Sequence, residues 1–413
     1  MARAQLVNHG SIAVNDNLTR FSCLNGALTA NATEANIEIP VREAGAFSNL
    51  YVFVSANTAT VTSTVTLRKD LVDTALTLNI GANLTGVFEN TTNSVSFAAT
   101  TRAAYEITVP TEAGTNTLTI TIIGVNFLSD TSGNTVSFMN TTGGVNFSVA
   151  SVTRYLRFGG FISLATAEAN NQFRIRNAGT TSDFSVYVSA NARTTNTVFT
   201  TRKNAADGGQ TVTFGNVETG WKEATGTDSL IAGDDYNFNG VSGTGIEIMT
   251  IQTVSVMYVS TNSIFPMFIG GGLDQAFNVT NYKGLGGNTN NSTTTENNAE
   301  VLVRFTFTVK ELSAYASSNT ITTSASTIRL RDNNVDGNLN LSYAAAETGL
   351  KVDSVNTDVL TTGVDTASIQ IITPNTSGTL TLQWIGVWGE VVAAGGGVLG
   401  DSTQFLMLLG VGT

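Results

Sequence analysis

The chain has one cysteine, one histidine and four prolines in 413 residues. A single Cys23 excludes an internal disulfide and reads as a small buried hydrophobe. A single His9 cannot serve a nucleophile–histidine–acid triad in a chain that repeats itself, and one Cys with one His falls short of a zinc ligand set. With proline this scarce, strand ladders run with few interruptions. Only 12 % of the residues are charged, against roughly 25 % in ordinary soluble proteins. The net charge of −11 argues against nucleic acid or an anionic membrane as the main partner. No apolar run reaches the roughly 18 residues of a transmembrane helix. The first ten residues lack an apolar signal region, so folding in the cytoplasm is expected. No glycine motif followed by Lys-Ser/Thr is present to cradle a phosphate, and no cofactor is expected.

What fills the chain is Thr, Asn, Ser, Gly and Val, with 41 % hydrophobic residues. Thr and Val favour strands; Asn, Gly and Ser favour turns. One segment is written three times at a period of about 130 residues, the length of a small domain. It runs from Leu50 to Asn57 and on to Arg68-Lys69-Asp70, from Phe184 to Asn191 and on to Arg202-Lys203-Asn204, and from Leu312 to Asn319 and on to Arg331-Asp332-Asn333. Each copy opens with a Thr/Ser-x-aromatic step, at Thr19-Arg20-Phe21, Thr153-Arg154-Tyr155 and Ser263-Ile264-Phe265. Glycine follows at Gly26, at Gly159-Gly160 and at Gly270-Gly271-Gly272. The first two copies share Ala-Thr-Glu-Ala-Asn wording around Glu34 and Glu168, and an Arg-x-Ala-Gly turn at Arg42 and Arg176. In the third, a polar stretch over 284–298 replaces both and predicts a mobile loop. Strict alternation, as in Leu76, Leu78 and Ile80 against Thr77 and Asn79, marks half-buried strands.

The fold class is therefore all-β: three tandem antiparallel β-sandwiches, with a jelly-roll arrangement preferred among Greek-key sandwiches. The expected division is an N-terminal arm over 1–18, sandwich repeats over 19–150, 151–260 and 261–392, and a glycine-rich hinge with an apolar tail over 393–413. The tail holds Phe405, Leu406, Met407, Leu408 and Leu409. An apolar strand at a terminus is a hazard unless something covers it, so these five are the candidate assembly contacts, made with the protein's own sheet edge or a neighbouring subunit.

Chemistry-bearing constellations are sparse, and no catalytic residue is assigned. Asp234-Asp235 is a carboxylate pair, read as a solvated turn rather than a glycosidase dyad. Asp332, Asn334 and Asp336 match the first half of a calcium loop, but Tyr343 stands where the closing Glu belongs, so a structural turn is the first reading. The recurring Arg68, Arg202 and Arg331 read as cations at strand ends that pair with a carboxylate; contacts to a neighbouring subunit are the second reading. Trp221 and Trp388 are candidate stacking platforms for surface glycans, with core packing as the alternative.

The wording of residues 49–58, 63–70 and 85–94 resembles repeat modules of tailed-phage virion structural proteins. The resemblance covers most of the chain through compositional motifs. It implies a jelly-roll-like module in a non-enzymatic capsid decoration, auxiliary, fibre or appendage protein, located in the virion and assembled in a host cell. Its implied partners are copies of itself or other virion proteins. The alternatives from other classes are an exported cell-surface filament or adhesin subunit, and a carbohydrate-binding module of a host-recognition appendage.

Overall fold

Each copy of the signature folds as two strands followed by a hairpin, and the hairpin tip explains the sequence there. Two residues separate Lys69 from Val72, Lys203 from Ala206 and Asp332 from Val335. All six have positive φ: Asp70 and Leu71 at 49° and 66°, Asn204 and Ala205 at 51° and 61°, Asn333 and Asn334 at 50° and 62°. That is the type I′ turn, whose twist matches the strands it joins. Beyond it the alternation predicted for Ala75–Ile80 holds within the strand Val72–Ile80, where Leu76, Leu78 and Ile80 are buried and Asn79 is exposed.

A computed structural model of the chain describes residues 3–131, 135–260, 262–288, 292–374 and 377–391. Among them there are three short 3-10 turns and no α-helix, so no helix is long and apolar enough to cross a membrane. The strands form six sheets. In the first, Arg3–Asn15, Thr117–Ser129, Gly45–Asn57 and Gly86–Phe97 lie side by side. In its companion the order is Leu18–Ser22, Arg102–Val109, Ser63–Lys69 and Val72–Ile80. With the two-residue strand Ile39–Pro40 set aside and the other strands counted along the chain, one sheet runs first, eighth, third, sixth and the other second, seventh, fourth, fifth, which is the jelly roll. The same two orders recur over Thr135–Ser260 and over Ile264–Val391, where the sixth strand is split in two and a two-residue strand, Gly160–Phe161 or Gly287–Asn288, is added parallel to the first.

Three buried apolar clusters hold these sheets together in pairs. Burying each Val, Leu, Ile or Phe contributes about 1.5–3 kcal/mol relative to leaving it exposed. No cluster stays within its own pair. The first reaches Val136 and Phe138, the second takes in Val7, Tyr51 and Ile122, and the third takes in Phe268, Trp384 and Trp388.

The strand pairing departs from the expected division in four places. Residues 1–18 were expected as an arm, but Arg3–Asn15 pairs along Thr117–Ser129 and Ala4, Leu6 and Val7 are buried. Thr135–Phe147, expected in the first repeat, pairs with Met249–Ser260 of the second. The opening of the third copy is Thr280-Asn281-Tyr282 rather than Ser263-Ile264-Phe265: Tyr282 bridges Thr293 as Phe21 bridges Asn31 and Tyr155 bridges Ala165. The polar stretch over 284–298 contains the strand Gly287–Asn288, paired parallel with Ile269–Gly270, and the 3-10 turn Glu296–Asn298. The tail over 393–413, with Phe405 to Leu409, lies outside the described residues.

Candidate functional site

Two polar residues of the signature are fixed by what they hold inside each sandwich. The amide of Asn57 donates to the carbonyls of Gly81 and Leu84, both at 3.0 Å, while its oxygen accepts from the Ala59 amide. Asn191 does the same with Gly215, Glu218 and Arg193, and Asn319 with Ala344, Glu347 and Ile321. Each asparagine thereby pins the turn after the hairpin. The arginine closes a larger gap. Arg68 grips Glu34 with two bonds of 3.0 Å, Arg202 grips Glu168 at 2.9 and 3.0 Å, and Arg331 grips Glu296 at 2.9 and 3.0 Å. The remaining nitrogen, Nη1, donates to Asp73, Asp207 and Asp336, while Nη2, shared with the glutamate, also donates to the turn carbonyls of Leu71, Ala205 and Asn334. Each glutamate opens a 3-10 turn in the long crossover after the second strand. One fork thus ties crossover to hairpin three times over. The hydrogen bonds to Glu168 and to Glu296 hold the Arg202 and Arg331 guanidiniums above their ordinary range. The sequence showed the arginines and two of the glutamates, but nothing in it joined them. Glu296 was hidden in the stretch read as a loop.

The seams between sandwiches are each built by the same arginine position, which meets the equivalent Glu223 and Glu89 at two seams and, at the other, Glu311 of a different strand. Arg42 of the first pairs with Glu223 of the second. Arg176 of the second pairs with Glu311 of the third at 2.5 Å, and Arg304 of the third with Glu89 of the first at 2.9 Å. Arg304 also lies 4.7 Å over the Tyr51 ring. One glycine position recurs with them. Gly26, Gly160 and Gly287 have φ of 110°, 83° and 104°. A Cβ there would stand 2.9 Å from Thr142 Oγ1, 2.6 Å from Gly270 Cα and 2.5 Å from the His9 carbonyl respectively. Each glycine therefore lets its crossover press onto the first strand of the next sandwich. First meets second, second meets third and third meets first, so the three close into a ring.

Each seam carries its own side chains. At the first, the Ala27 amide donates to Thr142 Oγ1 at 3.1 Å and Phe127 meets Phe138 edge-on at 5.1 Å. At the second, Phe173 packs between Trp384 and Trp388, 5.2 and 5.8 Å away, and Arg157 donates to Gln383 at 2.6 Å. At the third, Gln5 donates to the Leu302 carbonyl at 2.7 Å. His9 is buried there. Burial first, and then Lys283, bring its imidazole down to about 3, against a hydrogen bond with the Asn298 backbone. The first strands of all three sandwiches, with Ala4, Ser137 and Phe265, converge on a cavity of about 30 Å³, room for little more than one water.

The residues singled out from the sequence are dispersed. His9 and Cys23 belong to the third and first seams; burial pushes the Cys23 thiol up. Asp234 pairs with Lys203 at 3.0 Å and Asp235 with Arg174 at 2.6 Å, so the two carboxylates serve different partners. Asp336 faces Arg329 and Arg331, which puts guanidiniums where a calcium ion would need acceptors. Asn334 contributes its carbonyl to Arg331, and Asp332 lies at the turn between them. Among the described residues no group of three or more His, Cys, Asp or Glu is placed to hold a metal. Trp388 is buried at the second seam, which removes it as a glycan platform. Trp221 is half-buried, with Tyr187 at 5.2 Å and the Arg102 guanidinium at 5.3 Å.

No family model matches the chain, and no curated protein does. Among solved structures, one described for the triple jelly-roll fold and turret assembly of an archaeal virus aligns at 13 % identity, over 93 % of this chain and 90 % of that one, with a TM-score of 0.18. A xanthan lyase from Paenibacillus aligns at 13 % identity over 68 % of this chain but only 30 % of its own, with a TM-score of 0.20. The subunit of infectious bursal virus T=1 particles aligns at 7 % identity, over 95 % and 79 %, with a TM-score of 0.20. At TM-scores this low none of the three assigns a function to this chain.

Proposed function

We propose that the chain is a non-enzymatic structural subunit of a viral particle, serving as a capsid decoration or auxiliary protein or as a subunit of a fibre or appendage. The observation that carries this reading is the ring: three jelly rolls locked head to tail by Arg42–Glu223, Arg176–Glu311 and Arg304–Glu89. A chain that repeats one fold three times and closes it on itself offers three related faces outward, the form that symmetric assembly uses. The recurring polar residues hold turns, crossovers and seams, and they do not converge on a cleft. Assembly then proceeds by burial of area between repeated faces, with the apolar tail Phe405–Leu409 adding to a sheet edge of a neighbour.

Immunogold electron microscopy and mass spectrometry of particles pelleted from cells that make the protein test this directly. Gold on particles of uniform size, with the full chain among their proteins, is the expected result. Recovery of the chain only from the cell envelope would overturn it in favour of a surface filament. Deleting residues 398–413 is expected to abolish incorporation while leaving the sandwiches folded.

A further inference from the structure

The third sandwich breaks the repeat at one corner. In the first, Lys69 follows the clasp arginine and its ammonium donates to the Ser96 carbonyl at 2.8 Å. In the second, Lys203 does the same to Ser229 at 2.8 Å and pairs with Asp234 at 3.0 Å. Strand register identifies the matching residues of the third. Asp332 stands where the lysines stand, each facing the first residue past the hairpin turn. Val359 stands where Ser96 and Ser229 stand, opposite the second residue of the third long strand. Asp365 matches Asp234, since both accept from the turn asparagine and from the backbone of their own loop.

The corner has thus exchanged a cation for an anion and a serine for a valine. Asp332 Oδ1 is buried with no hydrogen-bond partner. Burial, then Asp365 and Asp358, push this carboxyl up to about 6. Besides these two carboxylates, the segments that form the corner carry three exposed valines. Val335, Val359 and Val364 are 66 %, 56 % and 70 % exposed. The segments that bear them are tied together by Asn333 on Asp365 at 2.7 Å and by the Asn338 amide on Asp358 at 3.0 Å. Exposed valines beside a part-buried carboxylate are costly unless covered.

We propose that this corner is a docking site for another protein, one that offers a lysine or arginine between apolar residues. The incoming cation takes the place of the Lys69 and Lys203 ammoniums, and its apolar neighbours cover the three valines. The sister corners supply the precedent for the cation, and the charge supplies the complementarity. A second copy of this chain is the weaker fit, because most of its cations are engaged in ion pairs of their own. The inference does not depend on the viral reading.

The test uses the full chain with its valine methyl groups isotope-labelled for NMR. The probe is a capped five-residue peptide, a central lysine flanked by valine and isoleucine, compared with its norleucine counterpart. The lysine peptide is expected to shift the methyls of Val335, Val359 and Val364 at millimolar concentration, and the norleucine peptide to bind about tenfold more weakly, as loss of a charge-assisted bond implies. Asp332→Lys, which rebuilds the sister clasp, is expected to abolish the shifts at an unchanged thermal midpoint. Val359→Ser, an exposed change that does not threaten folding, is expected to weaken them. Equal responses to the two peptides, or shifts that survive Asp332→Lys and Val359→Ser, would overturn the proposal. So would concentration-dependent shifts without peptide, which would make a second copy the occupant.

Discussion

Arg202 holds Glu168, Asp207 and the Ala205 carbonyl at once, and both it and Glu168 are mostly withdrawn from water. Removing the guanidinium leaves the carboxylate of Glu168 without its main partner. Arg202→Ala is therefore expected to cost about 3 kcal/mol by chemical denaturation, because breaking such a pair strands a charge. Adding Glu168→Ala is expected to cost little more than the single change, since the partner to be stranded is gone. Additive losses would show that the clasp is not a unit. His9 carries a different consequence. Its imidazole titrates near 3 in the fold and near the ordinary 6.5 unfolded. Between those values the unfolded chain binds a proton that the folded chain refuses, so stability falls as pH falls from 6.5 towards 3, by roughly 5 kcal/mol over the whole window. Glu38 acts with the opposite sign. Burial, then Glu34, raise its carboxyl to about 7, so protonation in the fold adds stability as pH falls from 7 to 4.5. The His9 share is read as the difference between the wild type and His9→Gln. Thermal midpoints of the two that run parallel from pH 7 to pH 4 would rule it out.

At the scale of elements, the legible parts of the sequence were those with a local cause. The alternation of Leu76, Leu78 and Ile80 and the Asp and Asn residues of the hairpin turns report burial and positive φ at their own positions. The first strand of each sandwich was not legible. Arg3–Asn15, Thr135–Phe147 and Ile264–Ala276 share little wording, because each lines a seam with a different neighbour and buries polar residues such as Asn8, Thr142 and Gln275. Their bulges, between His9 and Ile12, Thr142 and Val145, and Gly270 and Leu273, also break the period of two on which strand reading depends. The glycine triplet at 270–272 belongs to such a bulge, whereas Gly287 is the counterpart of Gly26 and Gly160. The tertiary demand on that position is testable. At Gly160 a side chain meets both a φ of 83° and the backbone of Gly270, whereas at Gly220, with φ of 95°, it meets open space. Gly220→Ala is expected to cost about 1 kcal/mol through φ alone. Gly160→Ala is expected to cost at least about 2 kcal/mol more, since the second and third sandwiches must separate to admit it. Equal midpoints for the two variants would refute the close approach.

At the scale of the whole molecule, the three seams are alike in chemistry but unlike in covalent support. The chain runs directly from first sandwich to second and from second to third, so those seams re-form at the high effective concentration of a short tether. The third seam joins the two ends of the ring and has only its contacts: Arg304 with Glu89 and Tyr51, Gln5 with Leu302, and the crossover at Leu285 to Gly287 against Val7 and His9. Equivalent changes should then have unequal effects. A compact chain of this length has a radius of gyration of about 22 Å. Arg304→Glu sets a carboxylate against Glu89 beside the aromatic face of Tyr51, and is expected to open the ring and raise that radius by several ångströms in small-angle X-ray scattering. Arg42→Glu, facing Glu223 across a tethered seam, is expected to leave it nearly unchanged. Adding Glu89→Arg to Arg304→Glu restores opposite charges and is expected to bring the radius back. If Arg304→Glu scatters like the wild type while its unfolding stays cooperative, the apolar contacts of Val7 and Leu285 hold the seam alone and the arginine is only an ornament of the repeat.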